Sequence, residues 1–229
     1  MILGGFQRFS LIDYPGKICT ILFTQGCNFR CPYCHNPELI GFKSHTTSIK
    51  QEEVFSFLEK RRGKLDAVSI TGGEPTLQPD LIGFLGKIKG MGYLIKLDSN
   101  GSHPEALEKI IEKGVVDYLA MDVKGPLKKY KRIVNFNANI DKIKESISLI
   151  MNSGLDYEFR TTIVKSQLSP EDIVEVGKTI KNAKLYILQK FVPSKTLAPN
   201  FLNEKTYSDG EFEQFKEALR DCVDLCIVR

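Results

Sequence analysis

The sequence contains no apolar run of the ~18 residues that a membrane-spanning helix requires, and no tract of low complexity. Its first ten residues, MILGGFQRFS, lack the basic start and apolar segment of a secretory signal peptide. The 32 lysines and arginines barely outnumber the 28 aspartates and glutamates, so the net charge is only +4. This balance does not indicate nucleic acid or a membrane as a partner. We therefore expect a cytoplasmic protein with a single domain over residues 1–229.

Cysteine is scarce, with six in the whole chain, yet three of them fall within eight positions of the stretch GCNFRCPYCHNPE. These are Cys27, Cys31 and Cys34, and His35 follows directly. In a reducing compartment, clustered cysteines indicate metal binding or catalysis rather than disulfide bonds. The stretch is the first candidate for a functional site.

The other three cysteines have a simpler interpretation. Cys19 lies inside an apolar run that predicts a strand. Cys222 and Cys226 extend an apolar stripe with three- and four-residue spacing, which predicts a final helix starting at Ser208. Because a free cysteine behaves as a small hydrophobic residue, we interpret all three as buried core thiols.

Six apolar runs rich in β-branched and aromatic residues recur along the chain. They are residues 18–24, 67–71, 93–97, 115–121, 157–164 and 185–191. Most are continuous, as is typical of parallel strands covered on both faces. Helical patterns with capping and proline start signals lie between them. The sequence thus predicts an α/β fold, a partial (β/α)6 TIM-like barrel of parallel strands with outer helices. A complete barrel needs ~250 residues, so we expect this one to be open on one side.

In such folds the active site lies at the carboxyl ends of the strands. Polar or metal-binding groups follow every predicted strand. In chain order they are Cys27–Cys34, TGGEPT (71–76), LDSNG (97–101), MDVKG (121–125), Arg160 and Gln189–Phe191. Together they predict a pocket for a charged, polar ligand beside a metal.

Each of these groups also has a simpler interpretation when it is considered alone. Gly72-Gly73 could be an ordinary turn, and Asp98 with Asn100 could serve a turn before the next helix. Asp122 and Lys124 could form a surface ion pair, and Arg160 could be the structural partner of an acid. The basic stretch from Lys124 to Arg132 is interpreted as a solvated loop.

The type of metal follows from the number of ligands. A structural zinc site closes four ligands in a tetrahedron, and here His35 is the only nearby fourth candidate, adjacent to Cys34 and therefore poorly placed. A dithiol centre would use Cys31 and Cys34 but leave Cys27 without a role. An iron–sulfur cube normally takes four thiolates. Three on one loop would leave one iron available to another ligand, and this is the interpretation we favour.

The motif CNFRCPYC resembles the CxxxCxxC loop of radical S-adenosylmethionine enzymes, and GGEP resembles the methionine-binding turn of the same superfamily. The stretches IDYPGK (12–17), CHNPEL (34–39), LDSNG and MDVKG resemble the branch that activates glycyl radical enzymes. The likeness covers essentially the whole chain. It is strongest to the activating proteins of anaerobic ribonucleoside-triphosphate reductase.

The resemblance implies a [4Fe–4S] cluster on Cys27, Cys31 and Cys34 whose remaining iron chelates the amino and carboxylate groups of S-adenosylmethionine. It further implies a set of cofactor-binding residues around that molecule. Tyr33 would lie near the adenine, and Arg160 would approach the carboxylate. The ammonium would be received by Gly72, Gly73, Glu74 and Pro75. The ribose and carboxylate side would be lined by Asp98, Ser99, Asn100, Asp122 and Lys124, and His35 belongs to the same set of cofactor-binding residues. One departure is visible, because Phe191 and Val192 stand where some activases place a ribose-contacting histidine. Gln189 is the candidate substitute.

The implied reaction uses one electron from a low-potential donor such as flavodoxin or ferredoxin. Reductive cleavage of S-adenosylmethionine gives methionine and a 5′-deoxyadenosyl radical, which takes a hydrogen atom from a glycine of the partner enzyme. No side-chain acid or base is required, so no catalytic residue is expected beyond the cluster and cofactor. The alternatives are an activase of the pyruvate formate-lyase type, a small-molecule enzyme such as a deazapurine synthase, and a non-enzymatic metal-binding or electron-transfer module.

Overall fold

The computed structural model describes residues 1–42 and 49–229. In this part of the chain, eight strands form one sheet in sequence order, from β1 at one edge to β8 at the other. The strands are β1 Leu3–Ser10, β2 Cys19–Thr24, β3 Ala67–Gly72, β4 Leu94–Ser99, β5 Tyr118–Asp122, β6 Asp156–Ile163, β7 Tyr186–Lys190 and β8 Cys226–Val228. The helices are α1 Gln51–Lys60, α2 Leu81–Gly90, α3 Pro104–Glu112, α4 Tyr130–Ile133, α5 Ile140–Met151, α6 Pro170–Thr179 and α7 Asp209–Ala218.

The six predicted strands correspond to β2–β7, which are all parallel. Two edge strands were not predicted. Strand β1 pairs antiparallel with β2 and begins with Leu3-Gly4-Gly5, and glycine weakens a strand signal. Strand β8 has only three residues and extends the parallel sheet beside β7. Each edge is therefore one strand wider than the sequence indicates.

The sheet is not closed, because β1 and β8 do not pair with each other among the described residues. The predicted fold, a partial TIM-like barrel open on one side, is confirmed. A large apolar core lies between the sheet and its outer helices. A second, small cluster contains Tyr14, Cys19, Ala67, Tyr118 and Ala120, which come from the β1–β2 connection and the amino-terminal parts of the strands.

The helix starts agree with the capping signals in the sequence. Ser169 and Asp172 form a capping box at α6, and Ser208 and Glu211 form another at α7. At α5, the Asn139 side chain accepts a hydrogen bond from the backbone N–H of Asp141. Side-chain oxygens thus satisfy the first free N–H groups of these helices.

The prediction for the last helix is wrong in its extent. Helix α7 ends at Ala218, and Cys226 lies on β8, paired with Tyr186. A turn separates the two elements because the backbone of Asp224 donates to Ala183 and leads the chain back into the sheet. Cys222 and Cys226 are half-buried against the core rather than fully buried. Cys19 is completely buried, as expected.

The interpretation of residues 124–132 as a solvated loop is also wrong in part. Tyr130 is completely buried at the start of α4, and the Lys124 side chain is mostly buried at a cavity edge. The remaining cations of the stretch are more exposed, because α4 turns Tyr130 and Ile133 toward the core and its charged side chains toward solvent. Within the described ranges, no helix combines the length and apolar character needed to cross a bilayer.

Candidate functional site

A cavity of about 260 Å³ opens at the carboxyl ends of the parallel strands. All the residues that the sequence predicts for the site line this cavity. They are Cys27, Cys31, Tyr33, Cys34, His35, Gly72, Gly73, Glu74, Pro75, Asp98, Ser99, Asn100, Asp122, Lys124 and Arg160. Because these groups come from five strand ends, the parallel sheet is what brings them together.

The cavity also contains residues that sequence reasoning missed. Phe29, Asn36, Ile40 and Thr162 belong to its lining. Thr71 and Gln189, which the sequence analysis placed at strand ends, line it too. The period-two alternation of strands could have identified Thr162, since it shares a face of β6 with Arg160. Phe29, Asn36 and Ile40 lie in irregular segments, where no periodic signal exists.

The cysteines lie on a loop after β2, here called the cluster loop (residues 26–36). Main-chain hydrogen bonds fix its two sides: Gly26 N–H donates to Leu39, and Arg30 N–H donates to Val134 at 2.8 Å. Within the loop, the backbone of Cys34 donates to Cys31 at 3.0 Å. Backbone hydrogen bonds therefore hold the loop in place, and the three cysteines also pack in or against the apolar core.

Burial raises the pKa of each thiol in the cluster loop. The pKa is about 12 for Cys27, where the charge of Glu74 adds to the effect of burial, and about 11 for Cys31. The pKa of Cys34 is raised for the same reason. A bound iron ion reverses this preference because a coordinating thiol is deprotonated outright.

Among the described residues, no three His, Cys, Asp or Glu side chains converge on a point suited to one metal ion. A cube differs from a single ion in this respect, since each thiolate binds a different iron. The Sγ of Cys27 accepts a hydrogen bond from the backbone of Phe29 at 3.4 Å and contacts Asn100 Nδ2 at 4.0 Å. The donor set, three sulfurs on one loop with nearby N–H groups, fits an iron–sulfur cluster.

The two glycines after β3 serve a close approach between strands. A Cβ at Gly73 would lie 2.1 Å from the carbonyl oxygen of Gly26, and one at Gly72 would lie 2.4 Å from the backbone nitrogen of Thr24. Gly72 also has a φ of +108°, which side chains disfavour. The glycines thus let the turn at the end of β3 pack against the start of the cluster loop, and both also line the cavity.

Glu74 is almost completely buried and holds this turn to the end of β4. Its Oε1 accepts hydrogen bonds from the Thr76 backbone at 3.1 Å, the Thr76 hydroxyl and the Ser99 hydroxyl at 2.9 Å. Its Oε2 accepts one, from the Asn100 backbone at 2.6 Å. Burial raises the pKa of Glu74, and these hydrogen bonds oppose the rise. Only Oε2 therefore has capacity for a further donor such as an ammonium.

Five charged side chains from β4, β5 and β6 form a continuous row, here called the charge network. They are Lys96, Asp98, Arg160, Asp122 and Lys124. Arg160 is central, with its Nε 2.9 Å from Asp122 Oδ1 and its Nη1 3.1 Å from Asp98 Oδ2. Lys124 Nζ lies 2.9 Å from Asp122 Oδ2, and Lys96 pairs with Asp98.

The charges in this network stabilise one another. Burial opposes ionisation of Asp98, but Arg160 and Lys96 outweigh it, so the pKa is lowered. The pKa of Asp122 is lowered more strongly, by Arg160 and then Lys124 acting against burial. Asp122 and Lys124 thus form an ion pair at the cavity rather than on the outer surface, and Arg160 is indeed the partner of acids.

Two rings of the cluster loop face different surroundings. Tyr33 is only 4% exposed, and its hydroxyl has no hydrogen-bond partner in the described part of the chain. An unpaired buried hydroxyl that lines a cavity is suited to a polar ligand group.

His35 is exposed, stacks on Phe191 with ring centroids 5.6 Å apart, and donates a hydrogen bond through Nε2 to the Val192 carbonyl at 2.9 Å. Since that carbonyl can only accept, Nε2 carries the proton.

Comparisons with known proteins agree with this geometry. The model of the radical SAM superfamily matches residues 21–180. A provisionally named glycyl-radical enzyme activating enzyme of Methanocaldococcus jannaschii is 33% identical over 100% of this chain and 95% of its own length. The pyruvate formate-lyase-activating enzyme of Streptococcus mutans is 28% identical over 86% of this chain and 78% of its own length.

Solved structures share the fold at low sequence identity. Streptococcus suis SuiB bound to S-adenosylmethionine has a TM-score of 0.70 and 13% identity, covering 91% of this chain and 51% of SuiB. TYW1 with a lysine-pyruvate adduct has a TM-score of 0.62 and 17% identity, covering 88% of this chain and 72% of TYW1. The cysteine loop, the fold and the matched residues lead to one conclusion. The chain belongs to the radical SAM superfamily, within the family of glycyl-radical enzyme activating enzymes, and its cofactors are a [4Fe–4S] cluster and S-adenosylmethionine.

Proposed function

We propose that this protein generates a glycyl radical on a partner enzyme, anaerobic ribonucleoside-triphosphate reductase. The observation that carries the proposal is the single cavity in which three cysteine thiols face a row of compensated charges. Within it, Cys27, Cys31 and Cys34 hold the cluster. When bound, the cluster supplies the electron that cleaves S-adenosylmethionine into methionine and a 5′-deoxyadenosyl radical, which takes a hydrogen atom from a glycine of the partner.

The charge network binds the amino-acid end of S-adenosylmethionine. Lys124 and Arg160 both line the cavity, and their cationic groups suit the methionyl carboxylate. The free acceptor capacity of Glu74 Oε2 receives the ammonium.

Other residues position the nucleoside end and keep competing groups away. The buried hydroxyl of Tyr33 has donor and acceptor capacity for the adenine side. Ser99 and Asn100 line the ribose side, and each also bonds to Glu74, which fixes their positions before a ligand arrives. His35 presents an imidazole at the cavity mouth from the cluster loop, and Gln189, which also lines the cavity, is the candidate substitute for the ribose-contacting histidine of some activases.

The partner approaches through the open side of the barrel, between the edge strands β1 and β8, which do not pair with each other within residues 1–42 and 49–229. The last helix, α7, packs against α6 and β8 in the outer layer. The family match covers residues 21–180, and the strands in that range belong to the same eight-stranded sheet as the strands outside it. This continuity supports a single radical SAM domain over residues 1–229. A low-potential carrier such as flavodoxin or ferredoxin in the cytoplasm supplies the electron.

A second target is favoured by a specific observation, the likeness to the pyruvate formate-lyase-activating enzyme of Streptococcus mutans. The distinguishing experiment incubates the protein, loaded with its cluster under anaerobic conditions, with reductant, S-adenosylmethionine and each candidate partner. We expect the electron paramagnetic resonance signal of a glycyl radical with the reductase. A glycyl radical signal with pyruvate formate-lyase, and none with the reductase, would show that pyruvate formate-lyase is the partner instead.

The same experiment tests the rival classes. Turnover of S-adenosylmethionine without a radical on either enzyme would favour a small-molecule radical enzyme. A cluster that accepts electrons but cleaves no S-adenosylmethionine in any mixture would favour an electron-transfer module and end the proposal. A Cys27→Ser variant serves as the negative control, because it removes one of the three thiols while its neighbours stay in place.

A further inference from the structure

The surface beside the cluster loop carries an excess of positive charge. The segment after β5, from Lys124 to Ala138, contains five lysines and arginines and no aspartate or glutamate. The cluster loop adds Arg30 and likewise contains no acid. The two segments touch, since Arg30 N–H donates to the carbonyl of Val134 at 2.8 Å.

Half of these cations are paired within the fold. Lys124 pairs with Asp122, Lys128 with Glu175, and Lys129 with Asp172. Arg30, Lys131 and Arg132 are exposed, and no carboxylate within residues 1–42 or 49–229 reaches salt-bridge distance of them. We call these three residues, together with Phe136, the basic patch.

The basic patch is directly connected to the cysteines. The guanidinium of Arg30 donates to the carbonyl of Cys27 at 2.6 Å and to that of Phe29 at 2.8 Å. Phe29 lines the cavity, and its ring lies 5.9 Å from the ring of Phe136. Phe136 is 44% exposed, so the patch combines cations with an exposed apolar ring, a pattern typical of protein interfaces.

We infer that the basic patch is the docking surface for an acidic one-electron carrier protein that reduces the cluster. This inference rests on the proposed function, because it presupposes a cluster on the loop that Arg30 belongs to. In each encounter the carrier loses one electron and the oxidised cluster gains one. Three unpaired cations attract an acidic protein over a distance of about a Debye length, and the exposed Phe136 gives the encounter a short-range contact.

The test compares a protein donor with a small-molecule donor. The triple variant Arg30→Glu, Lys131→Glu, Arg132→Glu is loaded with cluster and mixed with photoreduced flavodoxin, and the bleaching of the cluster absorbance is followed. We expect the second-order rate constant to fall about tenfold or more at low ionic strength. Reduction by dithionite, which needs no docking, should be unchanged.

A matched control reverses three exposed lysines at the amino-terminal edge of the sheet: Lys64→Glu, Lys113→Glu and Lys181→Glu. These residues precede β3, β5 and β7, opposite the cavity, and the total charge changes by the same amount. We expect less than about a twofold change in flavodoxin reduction, since distant exposed charges are screened. An equal loss in both variants would show an effect of net charge alone and overturn the inference.

A second variant covers the risk that Arg30 supports the loop itself. Lys131→Glu, Arg132→Glu leaves the loop intact and should still slow flavodoxin reduction. In the unaltered protein, the rate constant should fall as salt increases. A rate independent of salt, or full-rate reduction of the double variant, would overturn the inference.

The readouts separate this inference from the proposed function. If dithionite-reduced protein cleaves no S-adenosylmethionine, the proposed function fails, while the bleaching by flavodoxin still reports on docking. If both variants reduce normally but no longer place a radical on the partner enzyme, the patch binds that enzyme instead, and the inference is wrong.

Discussion

The cluster loop and the charge network line the same cavity but are stabilised in different ways. In the charge network, each of the five charges has an oppositely charged neighbour from the protein itself. In the cluster loop, burial keeps the thiols of Cys27 and Cys31 protonated, and the Tyr33 hydroxyl is unpaired among the described residues. The charge network is therefore organised by the protein's own charges, whereas under the proposed function the loop gains its polar partners from the cofactors.

The largest effect expected from this comparison is on the loop. Cys27→Ala should reduce the iron content, the visible absorbance and S-adenosylmethionine cleavage to background, because the proposed function makes Cys27 one of three cluster ligands. The stability of the cluster-free protein should change by about 1 kcal/mol or less, since Cys27 is only half-buried. Urea unfolding and iron analysis check both parts. Cys222→Ser is the matched control and should keep its iron.

Next in size is the contact between the loop and the turn after β3. Gly73→Ala would place a methyl group 2.1 Å from the Gly26 carbonyl oxygen, and we expect a loss of about 2–3 kcal/mol in unfolding free energy. Gly83→Ala is the control, because nothing lies within 4 Å of a Cβ there. In helix α2 this change should stabilise by about 0.5–1 kcal/mol. Equal effects at both glycines would disprove the close-packing explanation.

In the charge network, Asp122→Asn should lower the unfolding free energy of the cluster-free protein by about 2 kcal/mol. This is less than the 3–5 kcal/mol for a fully buried pair, because Asp122 is 27% exposed. The substitution leaves Arg160 and Lys124 short of one negative charge. Denaturant titration at neutral pH measures the loss. A neutral result would mean that solvent already screens the network.

The same variant gives a pH test with a defined sign. The pKa of Asp122 is lower in the folded than in the unfolded protein, so its stabilising effect is present above the unfolded pKa of about 3.9. It is lost as the pH falls through the folded pKa. Between those values the unaltered protein should lose stability more steeply than Asp122→Asn. Parallel stability curves for the two proteins would contradict the assignment.

The smallest effect is expected at the link between the two regions. Ser99→Ala removes one of the four hydrogen bonds to Glu74 and the acceptor for the Gly101 N–H. The expected cost is about 1 kcal/mol. Ser56→Ala, on the exposed side of α1, should stay within about 0.5 kcal/mol. Thermal unfolding of both variants measures the difference.

Predictability differed between the two regions. The cluster loop was found from the sequence because its three thiols are close along the chain, and spacing alone identifies them. Four members of the charge network, Asp98, Asp122, Lys124 and Arg160, were also named, since they occur at or near the ends of apolar strands. An Asp122–Lys124 pair and an acidic partner for Arg160 were considered, but only as alternatives to a role in ligand binding. Lys96 was missed because it lies within β4, between apolar residues. A single lysine in an apolar stretch gives no sequence signal that its side chain is buried and paired with an acid.

Errors occurred where tertiary contacts override local signals. The apolar spacing from Phe212 to Cys226 is compatible with one helix, yet the chain turns after Ala218 to add β8 beside β7. Edge strand β1 carries glycines and exposed polar residues, so its pattern is weak. Its position depends on pairing with β2, which a sequence pattern does not record.

By itself the sequence determined the six parallel strands, the helix caps and the cysteine loop, because these depend on hydrophobic period, capping groups and spacing over a few residues. The tertiary structure alone decided that Arg160 bridges Asp98 and Asp122, and that Gly73 abuts Gly26. Such contacts join residues far apart in the chain. Their geometry depends on the curvature and register of the sheet, and no local stretch of the sequence determines either of these.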